Sequence, residues 1–169
     1  MASVEVLAGS FLGHMEESLD RLPGLLAMVP AILAMRGNIS TSMGSRLGTQ
    51  TRFGLIPRDR IFSPIVVQNL VASIVLGIIL SVLAAVLAHV VTVQLGLESA
   101  GILRLSIIAV TAGLLSGFVM GGVAIGVMRL AFKRGLDLDN VAGPILMTAS
   151  DVTTLLVLFA TSRAVGVWM

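Results

Sequence analysis

The sequence predicts an all-α integral membrane protein: one five-helix transmembrane domain over residues 1–169, with a short first helix. Three observations carry this. Of 169 residues, 56% are hydrophobic and 12% charged, with a mean hydropathy of +1.03. A soluble fold of this length cannot hide so much apolar side chain from water. Two stretches, Ile61 to Leu97 and Leu105 to Met128, hold no Asp, Glu, Lys or Arg, and a membrane-spanning helix needs about 20 such residues. The remaining charges gather in short hinges between apolar blocks.

Taken in order, the first block, Val4 to Met15, is too short to span and lacks the basic flank of a signal peptide, so it reads as a shortened first helix. An acidic hinge, His14 to Asp20, follows. The second block runs from Leu22 past Arg36 and breaks at Gly54 to Arg60. The third opens at Ser63-Pro64, an N-cap followed by proline at the first helical position. Gln94 to Ser99 joins it to the fourth block. Lys133 to Asn140 joins the fourth to the fifth, with Gly135 suited to a helix C-cap and Asp137 or Asp139 to an N-cap. The fifth block, Val141 to Ala160, carries Asp151 inside it.

Charge predicts the orientation. Arg46, Arg52, Arg58 and Arg60 flank one hinge, and Arg129, Lys133 and Arg134 another, seven of the eleven cations. An even number of spans separates these hinges, so they share a side. The positive-inside rule makes that side cytoplasmic and leaves the C-terminus outside, in the plasma (inner) membrane. The pI near 10.4 is then topological, and no nucleic-acid partner is required. Lipid is the expected surrounding. Zero Cys and two His argue against a thiolate or multi-histidine metal site, and no cofactor is expected.

Polar residues within the spans point to function. Asp151 lies eleven residues after Asn140, about 16 Å along a helix, near mid-membrane. An ionisable group there usually marks an ion pathway. The competing reading is a carboxylate salt-bridged to Arg36 or hydrogen-bonded for packing. Thr148 and Thr154 put hydroxyls on the Asp151 face. In the second block Asn38, Thr41, Ser42, Ser45 and Thr49 form one helical stripe. Asn38 is about 21 Å from Arg52, a depth comparable to Asp151. Such a stripe lines water or bonds a neighbouring helix. Gly113, Gly117, Gly121, Gly122 and Gly126 read as a close-packing groove, as do Asn69, Ser73, Gly77, Ser81, Ala85 and His89. Pro30 and Pro144 free carbonyls within helices.

Several stretches resemble a known family. Pro30-Ala-Ile-Leu-Ala-Met-Arg-Gly-Asn38, then Ser45-Arg-Leu-Gly-Thr49, is similar to the signature of the MgtE and solute carrier family 41 magnesium transporters. Gly135-Leu-Asp-Leu-Asp-Asn140 resembles the family's last hinge, and Pro144-Ile-Leu-Met-Thr-Ala-Ser-Asp151-Val-Thr its last helix. The Gly-Asn-then-Ser-Arg-Leu form is closer to the solute carrier branch than to the bacterial one, where a Gln follows the Gly-Asn. The resemblance implies five helices paired as a two-fold homodimer around a central cation pore, with hydrated Mg²⁺ as transported ion. By position it implies that Asp151 holds the ion, with the Met147 carbonyl and Thr148 beside it and Asn38 opposite. Thr41, Ser42, Ser45 and Thr154 are then pore-lining. Bacterial members carry soluble regulatory domains ahead of the membrane part; this chain is expected to have none.

The predicted function is therefore transport, not enzymatic catalysis. Hard oxygen ligands suit Mg²⁺, which sheds water reluctantly, and soft ligands for copper or zinc are missing. A Na⁺-coupled Mg²⁺ exchanger and a non-transporting bundle bound to a larger partner remain alternatives. A lipid-headgroup enzyme would need more acidic residues than Asp137 and Asp139.

Overall fold

A computed structural model describes residues 22–56 and 62–168, together with Val6 and Ser10. Four long helices dominate: α1 (Leu25–Arg52), α2 (Pro64–Gln94), α3 (Ile102–Arg134) and α4 (Leu138–Trp168). They correspond to the second through fifth predicted blocks. Of the short first block only Val6 and Ser10 are described; both are helical, and Ser10 Oγ donates to the Val6 carbonyl at 3.0 Å. The rest of that block, the acidic hinge and residues 57–61, including Arg58 and Arg60, lie outside the described residues.

Pro64–Gln94, Ile102–Arg134 and Ala142–Val165 are long and apolar enough to cross a membrane. The 28 residues of α1 give it about 42 Å of length, but it is not among those three. Its polar stripe and three arginines make it less apolar than the other three.

The helix ends follow the local chemistry. Ser63 caps α2, its hydroxyl accepting from the Val66 N–H at 3.5 Å, with Pro64 at the first position. Gly135 ends α3 with φ 62°, ψ 26°, a left-handed conformation that favours glycine. Helix α4 starts directly after Asp137. Pro30 and Pro144 both sit inside their helices.

Short connections make sequence neighbours antiparallel, and α1 packs on both α2 and α4, as α3 does. The α1–α2 and α3–α4 hinges share one end, where Arg52 Nη2 meets Asp137 Oδ2 at 3.1 Å. The other end is tied by the Ala100 N–H donating to the Pro23 carbonyl at 2.8 Å.

Helix α2 is built inside out relative to a soluble helix. Apart from Val66 its buried face is small or polar, with Asn69, Gly77, Ser81, Ala84, Ala85, Ala88 and Thr92, while Val67, Val71, Val75 and Ile79 face outward. Lipid solvates large apolar side chains as well as a protein interior does, so membrane helices associate through small residues that let backbones approach. The glycines of α3 only partly fit that expectation. Gly113 lies against Ser81, Gly117 against Arg36 and Gly121 against Leu70, but Gly122 and Gly126 face open space.

The core is split. One apolar cluster, toward the Pro23 end, joins Leu25, Met28 and Ile32 to Ala85, Leu105, Ile108, Leu155 and Leu158. The other, toward the Arg52 end, joins Met43 and Leu47 to Val66, Met120, Met128, Ala142 and Leu146. Between them every helix contributes buried polar side chains: Arg36 and Ser40 from α1, Ser81 from α2, Ser116 from α3, Ser150 and Thr154 from α4. The middle of the bundle is its polar layer.

Candidate ion site between α1 and α4

The seam between α1 and α4 is lined by small residues. Gly37, Ser40 and Gly44 follow one face of α1. A Cβ placed on Gly37 would lie 3.7 Å from Asp151 Oδ1 and 3.9 Å from Met147 Cγ; one on Gly44 would lie 3.3 Å from Ala142 Cβ and 2.5 Å from Leu146 Cδ1. Between them Ser40 Oγ donates to Ser150 Oγ at 3.3 Å, buried. Rising numbers on α1 match falling numbers on α4, as an antiparallel pair requires. The glycine spacing thus lays the Asp151 carboxylate over the backbone of α1.

Asp151 falls near the middle of the apolar stretch Ala142–Val165 and is half-buried. Met147, one turn earlier, is 52% exposed, and Thr148 is half-buried. On α1, Asn38, next to Gly37, is exposed, as are Ser42, Ser45 and Thr49, while Thr41 is half-buried. One outward face therefore gathers Asp151, Met147 and the polar stripe. The Thr41 hydroxyl donates to its own helix, to the Gly37 carbonyl at 2.9 Å and the Asn38 carbonyl at 3.2 Å. With its proton so committed, the oxygen presents lone pairs outward.

Thr154 departs from this face. It is 0% exposed, and its Oγ1 has no hydrogen-bond partner. The i+3 step from Asp151 turns it into the bundle instead of along the outer face. Arg36 also differs from the packing expectation: its guanidinium lies against Gly77 and Gly117 of α2 and α3, not over Gly37 with Asp151. His89 is engaged by Ser99, Nδ1 to Oγ 2.8 Å. Among the described residues no three His, Cys, Asp or Glu side chains cluster to hold a metal.

Two polar links escaped the sequence reading. Asn69 Nδ2 donates to Gln50 Oε1 at 2.9 Å, joining α1 to α2, and the Ser40–Ser150 bond joins α1 to α4. Isolated serines and amides carry no periodic signal that says which helix they meet.

The chain is 32% identical over 148 residues to solute carrier family 41 member 2 of Xenopus laevis, covering 81% of this chain and 25% of the relative. For the protein of that name in Homo sapiens the identity is 30% over 153 residues, covering 84% and 25%, and in Gallus gallus 32% over 142 residues, covering 78% and 23%. The chain thus spans about a quarter of the length of these relatives. Residues 29–161, from within α1 to the last turns of α4, match the MgtE divalent cation transporter family, and the chain belongs to that family.

Proposed function

We propose that the protein conducts hydrated Mg²⁺ through a pore formed between two copies of this domain, lined by α1 and α4. The observation that carries the reading is the placement of Asp151 against Gly37, beside exposed Asn38, at mid-span on an outward face. Lipid cannot solvate such a face. A second copy related by a two-fold axis covers it with the same face and brings a second Asp151 to the ion. Family membership supports a divalent cation as cargo.

The chemistry follows from the donor set. Mg²⁺ keeps most of its octahedral water shell. Two carboxylates accept hydrogen bonds from those waters, with the Met147 carbonyl and Thr148 alongside. The oxygens of Thr41, Ser42 and Ser45 and the amide of Asn38 take up the waters along the wall. At an effective dielectric near 20, a carboxylate about 5 Å from a divalent ion contributes roughly 6–7 kcal/mol before desolvation and screening. The ion is held by charge through its waters, so it can leave again. Mn²⁺ and Co²⁺, with similar shells, compete; Na⁺ and K⁺, with half the charge, do not. The hinge end carrying Arg46, Arg52, Arg129, Lys133 and Arg134 faces the cytoplasm of a plasma-type membrane.

The test is Asp151→Asn in proteoliposomes. It keeps shape and hydrogen bonding and removes two charges per dimer. Divalent flux is expected to fall at least tenfold, about 1.4 kcal/mol of lost ion hold, with fold and dimer intact. A folded, dimeric Asp151→Asn protein with wild-type Mg²⁺ flux would end the assignment.

A further inference from the structure

Two described charges sit toward the middle of the helices, Asp151 on α4 and Arg36 on α1. Arg36 is 2% exposed. Its guanidinium enters a slot between α2 and α3 that exists because two residues lack side chains. A Cβ on Gly117 would lie 2.9 Å from Nη2, and one on Gly77 would overlap Nη1. Nε and Nη1 reach no hydrogen-bond partner. The uncharged stretches of α2 and α3 offer no carboxylate there: none occurs in Pro64–Gln94 or in Leu105–Met128.

A guanidinium so placed is a poor packing device. Apolar residues of similar volume fill such a space at equal or lower free energy, and a charge at this depth is otherwise avoided. Its position relative to the ion site is specific. Gly37, the next residue, is where the Asp151 carboxylate lies. The two charges therefore stand on different sides of one helix, whose diameter with side chains is about 10 Å. Across a poorly screened interior a fixed cation is felt at that distance, and a divalent ion is repelled twice as strongly as a monovalent one.

We propose that Arg36 is a fixed counter-charge behind the pore wall, which weakens the hold of the paired Asp151 carboxylates on the divalent ion and so speeds its release. This rests on the pore reading above. It gives the α2–α3 glycines a second use: Gly77 and Gly117 make room for a charge as well as for a helix.

The experiment measures Mg²⁺ binding by calorimetry to the full chain in lipid nanodiscs, for wild type, Asp151→Asn, Arg36→Met and Arg36→Gln. Both neutral Arg36 variants are expected to bind Mg²⁺ about tenfold more tightly than wild type and to release it more slowly, while Asp151→Asn binds weakly. Tighter binding is a gain that loss of a structural contact would not produce. Unchanged or weaker binding in a folded Arg36 variant, with Asp151→Asn still impaired, overturns the counter-charge alone. Retained wild-type binding in Asp151→Asn overturns the pore reading and the counter-charge with it. If neither neutral variant folds, the charge holds the helices instead of tuning the ion, and the inference fails.

Discussion

Thr154 and Asp151 stand three residues apart on one helix and experience opposite environments. The carboxylate is half-buried on the outward face, whereas the Thr154 hydroxyl is sealed in the bundle without a partner. A buried unsatisfied hydroxyl costs about 1–3 kcal/mol, so the near-isosteric Thr154→Val is expected to leave stability unchanged or raise it by about 1 kcal/mol. Divalent flux should be unaltered. Thermal unfolding and flux on the same preparation check this, and a loss of flux would return Thr154 to the pore wall. The sequence places Thr154 with Asp151 because an i+3 step is nominally one face. It does not say where the boundary between inner and outer faces falls, and that boundary runs between these two residues.

Glycine shows the same division at the level of whole helices. Five α3 glycines look alike in sequence, yet Gly113, Gly117 and Gly121 meet neighbours while Gly122 and Gly126 meet none. The α1–α4 seam turns on Gly44, where a side chain would press on Leu146 and Ala142. Gly44→Leu is expected to destabilise by about 1–3 kcal/mol through overpacking. Gly126→Leu should be neutral, or stabilising by up to about 1 kcal/mol, because it fills open space and improves helix propensity. Chemical denaturation in mild detergent would separate them, and equal effects would show that the seam is not a close contact. At the hinge end the Arg52–Asp137 pair, 61% and 49% exposed, is solvent-screened. Arg52→Ala should cost less than about 1 kcal/mol, a smaller loss than Gly44→Leu.

For the whole molecule, the outward polar face and the absence of Cys from the sequence combine into a direct test of assembly. Single substitutions Ser45→Cys and Asn38→Cys place thiols on the face expected to meet a second copy. Val75→Cys places one on the apolar outer face of α2. Oxidation or a short bifunctional reagent in the membrane should link the first two as dimers and leave Val75→Cys monomeric. The reverse pattern would move the interface to α2 and remove the pore proposed between α1 and α4.

Some of this was settled by sequence alone. The four long helices, the Ser63-Pro64 and Gly135 boundaries and the shared side of the two basic hinges follow from apolar runs, two of them uninterrupted and two broken by Arg36 and Asp151, and from backbone chemistry, which act over a few residues and need no partner. Asp151 and Asn38 could be singled out because a polar group inside an apolar run is conspicuous wherever the run packs. What surrounds each side chain depends on which helices meet and at what rotation. Hydropathy gives little guidance there, because lipid and protein interior are both apolar. Only the packed bundle therefore decided that Thr154 turns inward, that Gly77 and Gly117 house the Arg36 guanidinium, and that serines from all four helices form a polar layer between two apolar cores.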